Sequence, residues 1–427
     1  MEIRNVLLAT AAAAALLSGC GGGDGSSSDR DLAASGPRLS ALAVTTSAHN
    51  GENLQPAFDP EVRDYTLRVQ SDIYGVLLQP TAEKSDFQTS VNASITAGAY
   101  STSHSDTDVN APELVPLAQT YGNSGHMVKL SQSYAAFDVA FTQVATVTVT
   151  DTKTGKNSEY KVKIVRDNDL AIRQKFGAEK VFNGSTGASI KYRIYFPPNY
   201  ATSGKSYPVV LALHGVGQRA AGGQPSDMVL KRTKQATIWA QDSEADSSKE
   251  AIVIAPQANT AWVTADNIGS LAPDGQAAYE LLQSVIAGER VNKSRVYLTG
   301  LSMGGNGALV MAESYPELFA GVFLNAAWAG LPNSDTVLGT GYNWSGLKQH
   351  LDGRIRIVAA QDDPDVQHKS YLNLVNQLTV NGINFQNKLY STGTFFSPTA
   401  HFVWIAGYAD KTTRDWMFSL SKQNLPS

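Results

Sequence analysis

Two short stretches of the chain carry residue types able to do nucleophilic chemistry. Gly300-Leu301-Ser302-Met303-Gly304 sets a serine between small residues, after the β-prone run Arg295-Val-Tyr-Leu-Thr299 and before a helix expected over Gly305–Ser314. Small flanks let the backbone turn sharply from strand to helix, so that the serine hydroxyl projects. A serine hydroxyl is a weak nucleophile until a base takes its proton. Seven histidines are available: His49, His104, His126, His214, His350, His368 and His401. The first three fall in a β-rich segment ahead of the serine. An elbow of this kind goes with the chain order serine, acid, histidine. His350 comes before any strand-end carboxylate, and His368 lies only five residues after the candidate acid, too close for both to flank Ser302 from separate loops. His401 remains, in a Gly/Pro/Thr-rich stretch before a last helix at Thr412–Ser421.

The acid that orients His401 belongs in the loop after the strand Arg354–Ala360, where Asp362, Asp363 and Asp365 compete. Developing negative charge on a substrate oxygen needs two donors. One is expected from the backbone N–H of Met303. The other is expected from Leu213-His214-Gly215-Val216-Gly217, with Val216 preferred over Gly215 and His214 shaping the loop. Trp262, Trp328, Trp344 and Trp404 fall on expected loops near strand ends, where a bulky substrate could stack, whereas Trp239 and Trp416 fall on expected helices.

The elements that must position these residues are legible as strand–helix alternation from about Ala171. Tyr207-Pro-Val-Val-Leu-Ala-Leu213 is a near-continuous apolar run suited to a strand buried on both faces. Ile190–Phe196, Ala251–Ala255, Arg295–Thr299 and Arg354–Ala359 repeat the signature, separated by helical stretches such as Gly275–Ala287. The expected class is α/β, a mostly parallel sheet with helices on both faces, over residues 171–427.

Residues 37–167 read differently. Leu39-Ser-Ala-Leu-Ala-Val-Thr, Tyr65-Thr-Leu-Arg-Val, Tyr74-Gly-Val-Leu-Leu, Ala145–Thr150 and Tyr160-Lys-Val-Lys-Ile-Val alternate or are β-branched, with turn residues between them. An all-β sandwich is expected, with a long polar insertion at 97–125 and Asp167-Asn168-Asp169 as a solvated linker.

The catalytic stretch resembles the bacterial esterases of the α/β-hydrolase superfamily related to polyhydroxybutyrate depolymerases and feruloyl esterases. The likeness runs from about Phe182 to Phe418. It is most specific in Arg295-Val-Tyr-Leu-Thr-Gly-Leu-Ser-Met-Gly-Gly-Asn-Gly-Ala, in Tyr315-Pro-Glu-Leu-Phe-Ala-Gly, and in His401-Phe-Val-Trp404 with Asp415-Trp416 beyond. Asp363-Pro364-Asp365-Val366 resembles the D-P-x-V segment of carboxylesterases of this fold, which implies Asp363 as the acid. The chain departs from the pattern at Gly217-Gln218-Arg219-Ala220, where relatives often carry Gly-Glu-Arg-Gly. The resemblance implies a cofactor-free and metal-free Ser302–His401–Asp363 hydrolase of carboxylic esters. Polyester, feruloyl and acetyl esters are all open as substrates. About sixty residues separate the serine from the acid and about forty the acid from the histidine. That spacing excludes a large helical lid and implies an open cleft. A serine peptidase of the same fold, or a non-catalytic polymer-binding or adhesion protein, are the alternatives. Residues 37–167 resemble bacterial cadherin-like modules in Leu39-Ser-Ala-Leu, in Leu54-Gln-Pro-Ala-Phe58-Asp-Pro with Tyr65-Thr-Leu, and in Tyr160–Arg166. That implies a spacer or a binding unit, and the segment holds none of the six tryptophans that a sugar platform would use.

At the start, Arg4 and the apolar Val6–Leu17 form an export signal too short to span a bilayer. It ends in Leu17-Ser18-Gly19-Cys20, which resembles a bacterial lipobox. The expectation is a signal at 1–19, lipidation at Cys20, a flexible tether over 20–36, and a membrane partner reached through that anchor, in the outer membrane or at the cell surface. Cys20 is the one cysteine of 427 residues, so no internal disulfide or thiolate metal site can form. With 34 Lys+Arg against 38 Asp+Glu, there is no basic footprint for nucleic acid. At 42% hydrophobic residues a sizeable core is within reach.

Overall fold

In the computed structural model of the chain, the described residues are 36–46, 53–71, 73, 75–95, 118–120, 125–130, 141–167, 169–221, 224–231, 233–264, 269–330, 341–366, 368–395 and 399–422. The export signal, Cys20, nearly all of the tether and most of the polar insertion lie outside them. No helix among the described residues is long and apolar enough to cross a membrane.

The first strands are β1 (Leu39–Thr46), β2 (Leu54–Gln55), β3 (Asp64–Val69), β4 (Gly75–Ala82), β5 (Phe87–Ile95), β6 (Ala118–Thr120), β7 (His126–Lys129), β8 (Phe141–Asp151) and β9 (Asn157–Arg166). They form two sheets, β1-β4-β7-β6 and β2-β3-β9-β8-β5. All pairs are antiparallel except β3 with β9. Strand β9 alternates exposed and buried positions, with Tyr160, Val162 and Ile164 inward, the period of a strand with one wet face. Phe58 stacks on Tyr65 with ring centroids 5.9 Å apart, and the Tyr65 hydroxyl donates to the Asp59 carbonyl at 2.6 Å. The Phe58-Asp59 and Tyr65 parts of the sequence pattern are therefore one packed corner.

The second part has β10 (Lys180–Asn183), β11 (Ser189–Tyr195), β12 (Tyr207–Leu213), β13 (Ile252–Gln257), β14 (Val291–Leu301), β15 (Gly321–Asn325), β16 (Ile355–Ala360) and β17 (Gln386–Tyr390). They make one eight-stranded sheet in the order β10-β11-β13-β12-β14-β15-β16-β17, antiparallel at β10-β11-β13 and parallel from there on. Its helices are α1 (Leu170–Gln174), α2 (Thr237–Ala245), α3 (Pro273–Gly288), α4 (Met303–Ser314), α5 (Trp344–Leu351), α6 (His368–Val380), α7 (Trp404–Ala409) and α8 (Lys411–Ser419).

Every residue of β12, β13 and β15 is buried. Alternation then sends neighbours to opposite faces. Val209, Leu211 and Leu213 join Leu281, Leu282 and Leu309 of α3 and α4 on one side. Val210, Ala212 and Phe323 join Trp239, Tyr408 and Met417 on the other. That second cluster continues through Ile172 and Phe176 into the core of the β-rich part, so Pro37–Ser427 packs as one compact unit. The junction is not a purely solvated linker: Asp169 accepts hydrogen bonds from Ser71 and from Gln241 of α2, the latter at 3.2 Å. Lys234 also donates to Gln70 at 2.9 Å.

Candidate active site

The carboxyl ends of β12, β14 and β16 share one edge of the sheet, the place where parallel α/β sheets bind ligands. Val216 follows β12, Ser302 follows β14 and Asp363 follows β16. The turn at Ser302 is sharp. The residue has φ 52° and ψ −124°, one of two non-glycine positive φ values among the described residues, the other being Ala326. Strain of this kind persists only where surroundings over-determine it. Here a Cβ on Gly300 would lie 2.0 Å from the Gly304 carbonyl oxygen, and one on Gly304 would lie 2.2 Å from the Leu213 carbonyl oxygen. The Ser302 N–H donates to the Asn325 carbonyl at 2.9 Å, tying the elbow to the end of β15.

Ser302, His401 and Asp363 come together as a hydrogen-bonded chain. The Ser302 Oγ is 2.9 Å from His401 Nε2, and His401 Nδ1 is 2.9 Å from each Asp363 carboxylate oxygen. With a carboxylate on Nδ1, that nitrogen carries the proton, which leaves the Nε2 lone pair to accept from the serine hydroxyl. All three residues are buried. Asp363 Oδ1 also accepts the backbone N–H groups of Asp365 and Val366, each at 2.8 Å, so the carboxylate caps its own turn. The neighbouring carboxylates do other work. Asp362 accepts the Gly393 N–H at 2.8 Å, while Asp365 Oδ2 stands 3.9 Å from His401 Nε2. Asp363, Asp365 and His401 are the one cluster of metal-ligating types found among the described residues. A cation held through Nε2 would take the lone pair that Ser302 needs, so the cluster is read as part of the serine arrangement.

The two residues expected to supply donors for a developing oxyanion sit at helix starts. Met303 opens α4 and Val216 opens a 3₁₀ turn, Val216–Gln218, positions whose N–H groups have no partner within their own helix. Gly215 lies against the elbow, since a Cβ there would stand 3.6 Å from the Ser302 Cβ. His214 is fully buried. Its Nε2 accepts the Ala258 N–H at 3.0 Å, so Nδ1 carries the proton and donates to the Gly215 carbonyl at 2.6 Å. Burial holds this imidazole down at about 4, well below its usual range. The departure at Gly217-Gln218-Arg219-Ala220 is structural: Gln218 Nε2 donates to the Met228 and Lys231 carbonyls, and Arg219 Nε donates back to the Val216 carbonyl.

The stacking surface expected of four tryptophans is corrected. Trp262 is 0% exposed and its Nε1 donates to the His214 carbonyl at 2.9 Å, behind the oxyanion loop. Trp344 opens α5 and stacks on Tyr342 in the core. Trp404 opens α7 and meets the His401 ring edge-on at 5.0 Å, and Trp328 is buried with its carbonyl accepting from Asn306. Indoles this large gain more from burial than loop assignment suggests. Asn325 and Trp262, which brace the elbow and the loop, carry no sequence signal for those roles.

This sheet order, with the elbow after its central strand, is that of the α/β-hydrolase fold. In solved structures the chain is similar to a thermostable esterase (TM-score 0.52, 20% identity), over 83% of this chain and 99% of that one. That extent exceeds residues 171–427, so the likeness includes some of the β-rich part. Residues 184–336 match the family model described as "Putative esterase", a span containing Val216 and Ser302 but neither Asp363 nor His401. Among curated proteins, the chain is 30% identical over 116 residues to Poly(3-hydroxyalkanoate) depolymerase C of Paucimonas lemoignei, covering 27% of this chain and 26% of that protein. It is 28% identical over 148 residues to "Putative esterase NocK" of Nocardia uniformis subsp. tsuyamanensis, covering 34% and 39%. The chain thus spans between about a quarter and two fifths of the length of these relatives.

Proposed function

We propose that the protein is a serine hydrolase of carboxylic esters that works through an acyl-enzyme on Ser302. The observation that carries this reading is the hydrogen-bonded chain from Ser302 Oγ through His401 to Asp363. In the first half-reaction Ser302 attacks the ester carbonyl carbon and its proton passes to His401 Nε2. The N–H groups of Met303 and Val216 receive the oxyanion, where losing one such donor typically costs about 10²–10³ in kcat. The tetrahedral intermediate collapses as the C–O bond to the alcohol breaks, and His401 gives its proton to the leaving oxygen. Water then adds to the acyl-enzyme with His401 as base, releasing the acid. Asp363 holds the ring and balances the imidazolium charge.

Bulky or polymeric esters are the substrates we favour, on the partial likeness to a poly(3-hydroxyalkanoate) depolymerase. We read the N-terminal β-rich part as a cadherin-like spacer, and Cys20 as the lipid anchor of an exported protein. Ser302→Ala tests the chemistry. Hydrolysis of a p-nitrophenyl ester and labelling by a fluorophosphonate should both vanish, with an unchanged circular dichroism spectrum. Retained turnover by that variant would sink the reading.

A further inference from the structure

The turn that places the triad acid also aims a second carboxylate at the reacting end of the histidine. Asp363 Oδ1 accepts the Asp365 N–H at 2.8 Å, and this brings Asp365 Oδ2 to 3.9 Å from His401 Nε2, the nitrogen facing Ser302 rather than the one held by Asp363. The two carboxylates differ in surroundings. The Asp363 side chain is 2% exposed, whereas that of Asp365 is 42% exposed and so faces the open side of the site. Asp363 holds the ring through Nδ1, so the Asp365 carboxylate on the Nε2 side is not needed to orient it.

We propose that Asp365 is a specificity-determining residue that selects the ester by the charge of its alcohol portion, favouring cationic or hydroxyl-bearing alcohols and rejecting those that carry a carboxylate. This inference rests on the serine-esterase reading. To protonate the departing alkoxide, His401 Nε2 must come within about 3 Å of the leaving oxygen. The carboxylate at 3.9 Å from the same nitrogen is then at most about 7 Å from that oxygen. Substituents on the first carbons of the alcohol lie inside that range. A unit charge at this separation beside a protein surface is felt strongly, and a second negative charge there is repelled. A hydroxyl on the alcohol can instead donate to Asp365, as in a polyol or sugar ester. A hydroxy-acid alcohol ending in a free carboxylate is disfavoured, so a polyester chain would be cut away from its acid terminus.

The test compares three acetate esters at low ionic strength: of choline, of its uncharged isostere 3,3-dimethylbutanol, and of 3-hydroxypropanoate. The wild-type protein should rank them in that order, with kcat/KM for the cationic ester about tenfold or more above that for the anionic one. The gap should shrink in 0.5 M salt, as expected for a partly exposed charge. Asp365→Asn should bring the ratio to within about twofold of unity, and Asp365→Lys should reverse it. The same ranking is read independently as protection of Ser302 from fluorophosphonate labelling, which serves where turnover is slow. An unchanged ratio in both variants, or a wild-type preference for the anionic ester, overturns the proposal while leaving the esterase reading standing. Turnover retained by Ser302→Ala would remove that reading instead.

Discussion

His214 donates its Nδ1 proton to the carbonyl of Gly215 at 2.6 Å. In a trans peptide the carbonyl and the following N–H point in opposite directions. Holding this carbonyl against the buried ring therefore turns the Val216 N–H away from that ring. His214→Asn should lower kcat about tenfold or more while KM changes little, because the donor acts on the oxyanion rather than on the bound ester. An equal rise in KM would point to general damage to the pocket.

Val216→Pro removes the N–H itself. Proline is tolerated at the first position of a helical turn, and Gly215 already has φ −79° and ψ 176°, the extended conformation that a following proline requires. The variant should fold and lose about 10²–10³ in kcat. Full activity would assign the second donor elsewhere.

Asp363→Asn keeps an oxygen to cap the turn at Asp365 and Val366 but loses the negative charge beside His401 Nδ1. A drop in kcat of about 10³–10⁴ with an intact melting transition is expected, since the amide permits the wrong imidazole tautomer. A loss below tenfold would move the acid role to a neighbour.

The elbow glycines have a stability signature. Gly304→Ala would put a Cβ 2.2 Å from the Leu213 carbonyl oxygen and 2.6 Å from that of His214. Backbone has to move, so a loss of about 3 kcal/mol or more is expected. Gly353→Ala, with φ +72° and nothing within 4 Å, should cost only about 1 kcal/mol. Urea melts of the two variants compare them directly, and equal losses would refute the packing account.

Two buried groups act on stability with opposite sign. Burial pushes the Glu313 carboxyl up to about 7 from 4.5, so its contribution is complete below pH 4.5 and lost as pH rises through 7. His214, held at about 4 against 6.5, contributes fully above pH 6.5 and loses that contribution as pH falls through 4. Between pH 4.5 and 6.5 the two slopes oppose each other. Glu313→Gln removes the first, so the variant's unfolding free energy should rise with pH across that window by up to about 3 kcal/mol more than the wild type's. Parallel profiles from urea melts would refute it.

Much of the fold was legible because period and length speak for themselves in buried strands. Strand β12 begins and ends where its apolar run does, at Tyr207 and Leu213. Strand β15 is five residues, Gly-Val-Phe-Leu-Asn, too short to stand out from helix or loop, yet its last carbonyl holds the elbow. The tryptophans misled for a related reason: sequence places them at strand ends and is silent on which way a ring turns. Trp262 turned inward because Gly307 of α4 leaves room for it, a Cβ there falling 2.5 Å from the Trp262 Cβ.

By itself the sequence determined what depends on chain order and local steric allowance: the alternation of strands and helices, a serine between glycines at a strand end, and an acid and a histidine following in turn. Proximity between residues about a hundred positions apart is a property of sheet order, and only the tertiary structure decided it. It set His401 against Ser302 and chose among three aspartates by which carboxylate could reach Nδ1 while capping its own turn. It also turned the Asp365 carboxylate toward Nε2, a direction that no spacing along the chain specifies.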